Sequence, residues 1–185
     1  LSFYLMTNYK DKGFKKFGIL ISVISICSGI CVRPISIGLS SVYAKPAAQE
    51  ITKIVSTDPK SKWVTLGGIE TPSFTVMCGA PTINFVNTYP NLKLWHTLDP
   101  DKKYEKIYNR YEHVQVILTQ EDTSFELIQS DYITLNLSYK DLKKAKVKYV
   151  FTNGDCDIDF NNGYVKFDKV YDESGVNIYK IKYIL

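Results

Sequence analysis

The chain has few histidines and cysteines, two residue types that enzymes often use for catalysis. It contains two histidines and four cysteines in 185 residues. It has no nucleophile elbow, no HExxH motif, no glycine-rich phosphate loop and no paired-cysteine motif. His96 follows Trp95 in an aromatic segment and His113 begins a predicted strand, so we expect both to be hydrogen-bonded structural residues. The sequence therefore predicts no catalytic residue and no cofactor, and it does not support an independent enzyme.

Cysteine is also too scarce for a disulfide framework. Cys27 and Cys31 lie four residues apart in an apolar segment, where we expect them to act as small hydrophobic residues. Cys78 and Cys156 could form one disulfide, depending on the separation of their Cβ atoms. No Cys/His spacing predicts zinc.

One cluster of acidic residues matches only the first part of a calcium-binding loop. Asp155, Asp157 and Asp159 have the i, i+2, i+4 spacing of calcium ligands. Phe160 then stands where the loop needs glycine, and Lys166 stands where it needs a bidentate glutamate. We therefore expect a solvated turn and no metal site.

Excess positive charge is confined to the start of the chain. Residues 1–33 contain five Lys and Arg against one Asp, whereas the remaining 152 residues contain 18 of each sign. A neutral remainder without a basic stripe does not predict binding to nucleic acid. The early lysines are Lys10, Lys12, Lys15 and Lys16. An apolar run from Phe17 to Val32 follows them directly.

This apolar run predicts a membrane helix. As a helix, its residues would span about 24 Å, short of the ~30 Å hydrocarbon core, but Arg33 can reach the headgroups and the chain stays uncharged to Leu39. The positive-inside rule places residues 1–16 in the cytoplasm as a basic segment, residues 17–39 in the membrane and residues 45–185 outside. A signal peptide cleaved after Ala44 and a buried helix of a soluble protein are the alternatives.

Residues 45–185 predict one α/β (α+β) domain. Helix signals occur at 46–55, 99–109 and 139–145, where Ser138 is a candidate N-cap. Strand signals occur at 63–66, 74–76, 83–85, 113–119, 124–129, 132–137 and 147–151, and a hairpin spans 165–183. The expected fold is a mixed β-sheet with two or three helices and a C-terminal β-hairpin, preceded by one transmembrane helix.

The densest group of aromatic and amide side chains lies between residues 84 and 113. Such side chains suit a sugar or sugar-phosphate headgroup, although they also pack cores. Arg110 is the only arginine besides Arg33. Its planar fork could contact a ligand, or it could hold Glu112, Glu126 or a backbone carbonyl. The predicted ligand-binding residues are Asn84, Asn87, Trp95, Tyr108, Asn109, Arg110, Tyr111 and His113.

Several segments resemble a known kind of membrane protein, most specifically YNRY at Tyr108–Tyr111 and VKYV at Val147–Val150. They are similar to the C-terminal extracytoplasmic domain of large multi-spanning bacterial membrane proteins that are related in architecture to C-type membrane glycosyltransferases. The resemblance covers nearly all of residues 17–185. It implies a last transmembrane helix followed by an external domain. Because the catalytic acidic residue of such transferases lies in an early external loop, the resemblance assigns no catalytic residue here.

The expected function is that of an extracytoplasmic domain which positions or recognises substrate for glycosyl transfer from a polyprenyl-phosphate carrier. The expected location is the cell membrane. Expected partners are membrane lipid, a lipid-linked sugar or cell-envelope glycan, and other transmembrane helices of the same or a partner chain. Since the sequence begins with Leu1, we expect it to be part of a longer polypeptide. A signal-anchored, single-pass structural or interaction module of the cell surface is the alternative. A secreted enzyme released by signal cleavage is a third possibility.

Overall fold

A computed structural model describes residues 11–30, 38–154 and 156–184. Contacts divide the chain after Leu39 into an N-terminal unit and a larger unit that begins at Ser40. The two units are described separately below.

The N-terminal unit contains one helix, α1 (Asp11–Ile30). It begins six residues before the predicted span, so Lys15 and Lys16 are helical. Its apolar side chains are largely exposed, reaching 65% for Ile19 and 78% for Ile30. The predicted basic segment 1–16 and the predicted membrane span 17–39 also include residues 1–10 and 31–37, which lie outside the described residues. Within the part of the chain that the structure describes, no helix is both long enough and apolar enough to cross a membrane.

The larger unit contains six short α-helices among its described residues, and eight strands. The helices are α2 (Ser40–Tyr43), α3 (Pro46–Thr57), α4 (Thr71–Met77), α5 (Leu92–Leu98), α6 (Glu105–Tyr108) and α7 (Leu142–Ala145), the last preceded by a 3₁₀ turn at Tyr139–Asp141. The strands are β1 (Lys62–Leu66), β2 (Val86–Asn87), β3 (Glu112–Thr119), β4 (Ser124–Gln129), β5 (Tyr132–Ser138), β6 (Val147–Asn153), β7 (Val165–Glu173) and β8 (Val176–Tyr183).

The strands form two mixed sheets of four strands each. The first has the order β1-β6-β8-β7, in which β1 and β6 are parallel and the other neighbours antiparallel. The second has the order β2-β3-β5-β4, in which β3 and β5 are parallel. We call them the β1 sheet and the β3 sheet.

Successive side chains of a strand point to opposite faces of the sheet, and this divides the core into two clusters. In β1, Val64 and Leu66 join a large cluster that also contains the inner face of the β3 sheet, whereas Trp63 points to the opposite face. There Trp63 stacks on Tyr149 with ring centroids 4.7 Å apart, and Ile51 of α3 packs against them. β1 and β6 are therefore buried on both faces, which explains the mostly apolar sequence of β1.

The α/β class and the C-terminal hairpin are confirmed, but the single sheet was wrong, and so was the count of two or three helices, because short helices such as α5 had not been predicted. Residues 74–76 form part of helix α4 instead of a strand, because Pro72 suits a first helical turn and the segment packs on the β1 sheet. Residues 83–85 are irregular, and only Val86–Asn87 pairs as a strand. The helix predicted at 99–109 is reduced to α6, and Ser138 precedes the 3₁₀ turn without a side-chain capping bond.

Candidate functional site

A small cleft lies beside the ends of β1 and β6 in the β1 sheet. Its volume is about 250 Å³. It is lined by aromatic, charged and amide side chains together with small residues: Lys45, Ala47, Glu70, Thr71, Phe74, Phe151, Asn153 and Val176. Crevices at the carboxyl ends of parallel strands are the usual ligand sites of α/β folds, and β1 and β6 are the parallel pair of this sheet.

Gly67 allows the chain to leave β1 at this cleft. Its φ of +118° is a conformation that side chains rarely adopt. A Cβ atom at Gly67 would lie 3.3 Å from the carbonyl oxygen of Asn153 and 3.3 Å from Thr71 Oγ1. The chain can therefore pass tightly over the end of β6 and begin α4 at the rim of the cleft.

The cleft combines aromatic surface with charged and amide groups. Phe74 and Phe151 lie with ring centroids 5.8 Å apart, and the Lys45 ammonium lies 5.6 Å from the Phe74 ring centroid. Glu70 and Asn153 add a carboxylate and an amide. An aromatic surface beside a few hydrogen-bonding groups suits a small polar ring such as a sugar.

The predicted site residues do not form one cleft. Asn84 is 1% exposed and bonds to β1: its Oδ1 accepts from the Thr65 amide at 2.9 Å, and its Nδ2 donates to the Thr65 carbonyl at 2.8 Å. Its side chain thus satisfies backbone groups at the edge of β1. The Asn84 amide group therefore has a structural role, since its oxygen and nitrogen already form hydrogen bonds within the protein.

Asn87 and Trp95 meet at a buried carboxylate, Glu112. The Trp95 indole donates to Glu112 Oε1 at 2.9 Å and the Asn87 amide donates to the same oxygen at 3.3 Å. Glu112 Oε2 is buried with no hydrogen-bond partner among the described residues. Burial raises the pKa of Glu112 to about 7, against the lowering effects of the two donors and of the nearby Arg110 charge.

Tyr108 packs in the same core cluster as Trp95, but its hydrogen bond is to Asp99 and not to Glu112. Its hydroxyl donates to Asp99 Oδ2 at 3.2 Å, and the Asp99 carboxylate also accepts from the Lys103 and Tyr104 amides. Burial and the neighbouring Asp99 charge raise the pKa of Tyr108. This arrangement holds the loop between α5 and α6.

The remaining predicted residues lie nearer the surface. Arg110 donates to the Ser130 carbonyl at 3.2 Å and to the Lys106 carbonyl at 2.6 Å, so its fork joins α6 to the turn after β4. The Tyr111 hydroxyl lies 3.1 Å from His113 Nε2. Asn109 is exposed at the edge of an open surface lined mainly by lysines. Ligand binding by these residues stays a prediction.

The sequence contained two signals for what was missed. Glu112 lies on the same buried face of β3 as Val114, Val116 and Leu118. A glutamate at an otherwise apolar position of a strand indicates a buried carboxylate. The second signal is the Gly67-Gly68 pair between a buried strand and a helix, because adjacent glycines indicate a tight turn, and this turn lies beside the cleft. Phe74 was hidden because its segment was predicted to be a strand.

The acidic turn and the cysteines have ordinary roles where they are described. Asp155 lies outside the described residues; Asp159 accepts from Gln120 Nε2 at 2.6 Å and from the Asn161 amide at 2.8 Å. No cluster of metal-ligating side chains occurs in the described ranges. Cys78 is buried under α3, with its pKa raised by burial, and the structure does not join it to Cys156.

The structure is a two-sheet α/β domain with a small cleft at the end of its parallel strand pair. A domain of unknown function, DUF7654, matches residues 41–184, which are the two-sheet unit without α1. The chain belongs to this family. No curated protein and no solved structure matches it.

Proposed function

We propose that the two-sheet unit is a non-catalytic recognition domain that binds a sugar or sugar phosphate outside the cytoplasm, and that the N-terminal segment attaches it to a membrane. The observation that carries the proposal is the cleft with Phe74 and Phe151 on its wall and Lys45, Glu70 and Asn153 around it. On this proposal the domain positions a lipid-linked sugar or a cell-envelope glycan. Bond cleavage takes place elsewhere.

The size and chemistry of the cleft favour a single sugar ring. Its volume of about 250 Å³ is just below the ~300 Å³ at which sites for larger ligands begin. The Phe74 ring offers an apolar face to the C–H groups of a sugar. Asn153 and Glu70 offer hydrogen bonds to its hydroxyls, and Lys45 offers a charge to a phosphate.

Membrane attachment is supported by α1. This helix exposes large apolar side chains from Ile19 to Ile30, including Val23 and Ile26, and its first two turns contain lysines. Apolar side chains exposed in such numbers are uncommon on a protein surface that faces only water. The resemblance to external domains of multi-spanning bacterial proteins supports the same location, and lipid and neighbouring membrane helices are the proposed partners.

A sugar-binding experiment tests the cleft. The full chain in detergent is mixed with glucose, N-acetylglucosamine or glucose 1-phosphate, and saturation-transfer NMR reports contact with each sugar. We expect transfer from the protein to at least one of them, and a loss of at least half of the signal in Asn153→Ala, which removes a rim amide. Melting temperatures of each variant establish that it is folded.

Asn109→Ala is the matched control, since Asn109 is an exposed asparagine of the site predicted from sequence. A loss of transfer in Asn109→Ala but not in Asn153→Ala would move the site to the YNRY segment. Absence of transfer to all three sugars would contradict the proposed function. The alternative, an anchored interaction module, is favoured by a different surface, the outer edge of β4.

A further inference from the structure

Three of the four sheet edges are protected. The edge of β1 is covered by the segment after α4: the Trp63 amide donates to the Pro81 carbonyl at 2.9 Å, and the Ile83 amide donates to the Trp63 carbonyl at 2.8 Å. The edge strand β2 is only two residues long, and beyond it β3 lies beside Gly67, Cys156 and Asp157 at a second small cleft. In β7, five of the nine residues are charged, and the strand has a bulge between Lys169 and Tyr171. Short length, coverage and charge are the usual means by which proteins prevent strand pairing.

The fourth edge, β4, is neither short nor rich in charge nor covered by a described segment, and its pairing with β5 is regular from Ser124 to Leu127, with one irregularity between Leu127 and Gln129. Six residues long, it pairs only with β5, and no other described segment forms backbone hydrogen bonds with its outer side. Its last four residues are exposed, with Leu127 at 44% and Ile128 at 49%. Glu126 is its only charged residue. Exposed backbone groups beside apolar side chains are a template for another strand.

The charge around β4 indicates what kind of strand it accepts. No lysine or arginine occurs from residue 111 to residue 139, a segment with five acidic residues. Four of these are exposed: Glu121, Asp122, Glu126 and Asp131. Asp122 pairs with Lys140, whereas Glu126, within β4 itself, forms no ion pair with the described residues and remains available to a basic strand. Pairing with β4 of a second copy would bring like charges together, whereas a strand carrying lysine or arginine would meet opposite charge.

We propose that β4 binds an extended, basic peptide segment of a partner protein, which adds a fifth strand to the β3 sheet. Backbone hydrogen bonds along Ser124–Gln129 hold the segment. Its apolar side chains contact Leu127 and Ile128, and its basic side chains lie near Glu126. The proposal does not depend on the sugar cleft, which lies beside the other sheet.

A model peptide tests this surface. The probe is a fluorescein-labelled octapeptide of alternating lysine and valine, added to the full chain in detergent and followed by fluorescence anisotropy. Hydrogen exchange read by mass spectrometry then shows which amides become protected. We expect saturable binding and slower exchange in the peptide fragment that contains 124–129. The same peptide with glutamate in place of lysine, or with alternate backbone nitrogens methylated, should bind about tenfold more weakly or less.

Charge reversal localises the effect. Glu126→Lys should weaken binding of the lysine peptide about tenfold, whereas Glu173→Lys, an exposed glutamate on the edge strand β7, should leave binding unchanged; unchanged melting shows that both variants are folded. Equal binding of the methylated peptide, protection outside 124–129 or no saturable binding would overturn the proposal. A dimer protected at β4 without peptide would also overturn it, in favour of a second copy as the occupant.

Discussion

Glu112 is the residue at which the core departs most from apolar packing. Its carboxyl group is fully buried, and the described residues donate hydrogen bonds to only one of its oxygens, so its charged form is disfavoured and its pKa rises from the ordinary 4.5 to about 7. Between these two pH values the folded protein holds a proton that the unfolded chain releases. Folding stability should therefore fall as the pH rises from about 4.5 to 7, and the full penalty is present above pH 7.

Glu112→Gln tests this pH dependence. The glutamine retains an oxygen that can accept from Trp95 and Asn87 but does not ionise, so the variant should lose less stability than the parent between pH 5 and pH 8. We expect a difference on the order of 2 kcal/mol from urea unfolding at the two pH values. Glu126→Gln, an exposed carboxylate in β4, is the control and should fall in parallel with the parent. A parallel fall in Glu112→Gln as well would show that Glu112 is ionised in the folded protein.

Arg110 shows why the candidate residues could be recognised by type but not by role. The sequence singled it out because a guanidinium occurs where a planar fork must meet two acceptors. The structure supplies two acceptors, the carbonyls of Lys106 and Ser130. Both are backbone groups brought together by the fold, and neither has a signature in the sequence. Trp95 was ambiguous for the same reason, since an indole has an apolar body and one donor, which serve a core as well as a site.

Among the elements, the turn from β1 to α4 sets the shape of the cleft. A Cβ atom at Gly67 would lie 3.3 Å from two neighbours, one of them a backbone carbonyl, and Gly67 has a positive φ. A Cβ atom at Gly68 would meet only the end of the flexible Glu70 side chain, at 2.8 Å. Gly67→Ala should therefore lower the free energy of unfolding by about 1–3 kcal/mol and reduce sugar binding. Gly68→Ala should change stability by less than about 1 kcal/mol. Urea unfolding of the two variants measures both values, and equal losses would mean that Gly67 is not the constrained position.

The strands with clear alternation were predictable, and those positioned by distant partners were not. In β3, apolar residues alternate with polar ones, so period-2 patterning identified the strand within one residue. Phe74, Thr75 and Val76 have strand propensity but are helical, because Pro72 begins a helix and Thr75 and Phe74 pack on the β1 sheet. Local propensity is weak where tertiary contacts oppose it.

At the scale of the whole molecule, the division into two sheets depends on long-range pairing. Val64 of β1 pairs with Val150 of β6, and between them lie all the strands of the β3 sheet. Nothing local in either strand indicates that the pair is parallel or that a second sheet forms between them in sequence. The family match to residues 41–184 coincides with this two-sheet unit, which identifies the unit as the recurrent part of the chain.

The location of this unit is testable in intact cells. Five basic residues against one acidic residue before residue 34 predict that the lysines remain in the cytoplasm and that residues 45–185 lie outside. Lys60 and Tyr89 are exposed, Tyr89 at 87%, so Lys60→Cys and Tyr89→Cys should react with a membrane-impermeant maleimide before lysis. The parent chain gives the background from its own cysteines, and Lys15→Cys, in α1, should react only after lysis. Labelling of Lys60→Cys and Tyr89→Cys only after lysis would place the domain in the cytoplasm. The proposed contact with lipid-linked sugars outside would then be wrong, although the β4 edge could still bind a basic peptide, because that proposal depends on the charge of the edge and not on the side of the membrane.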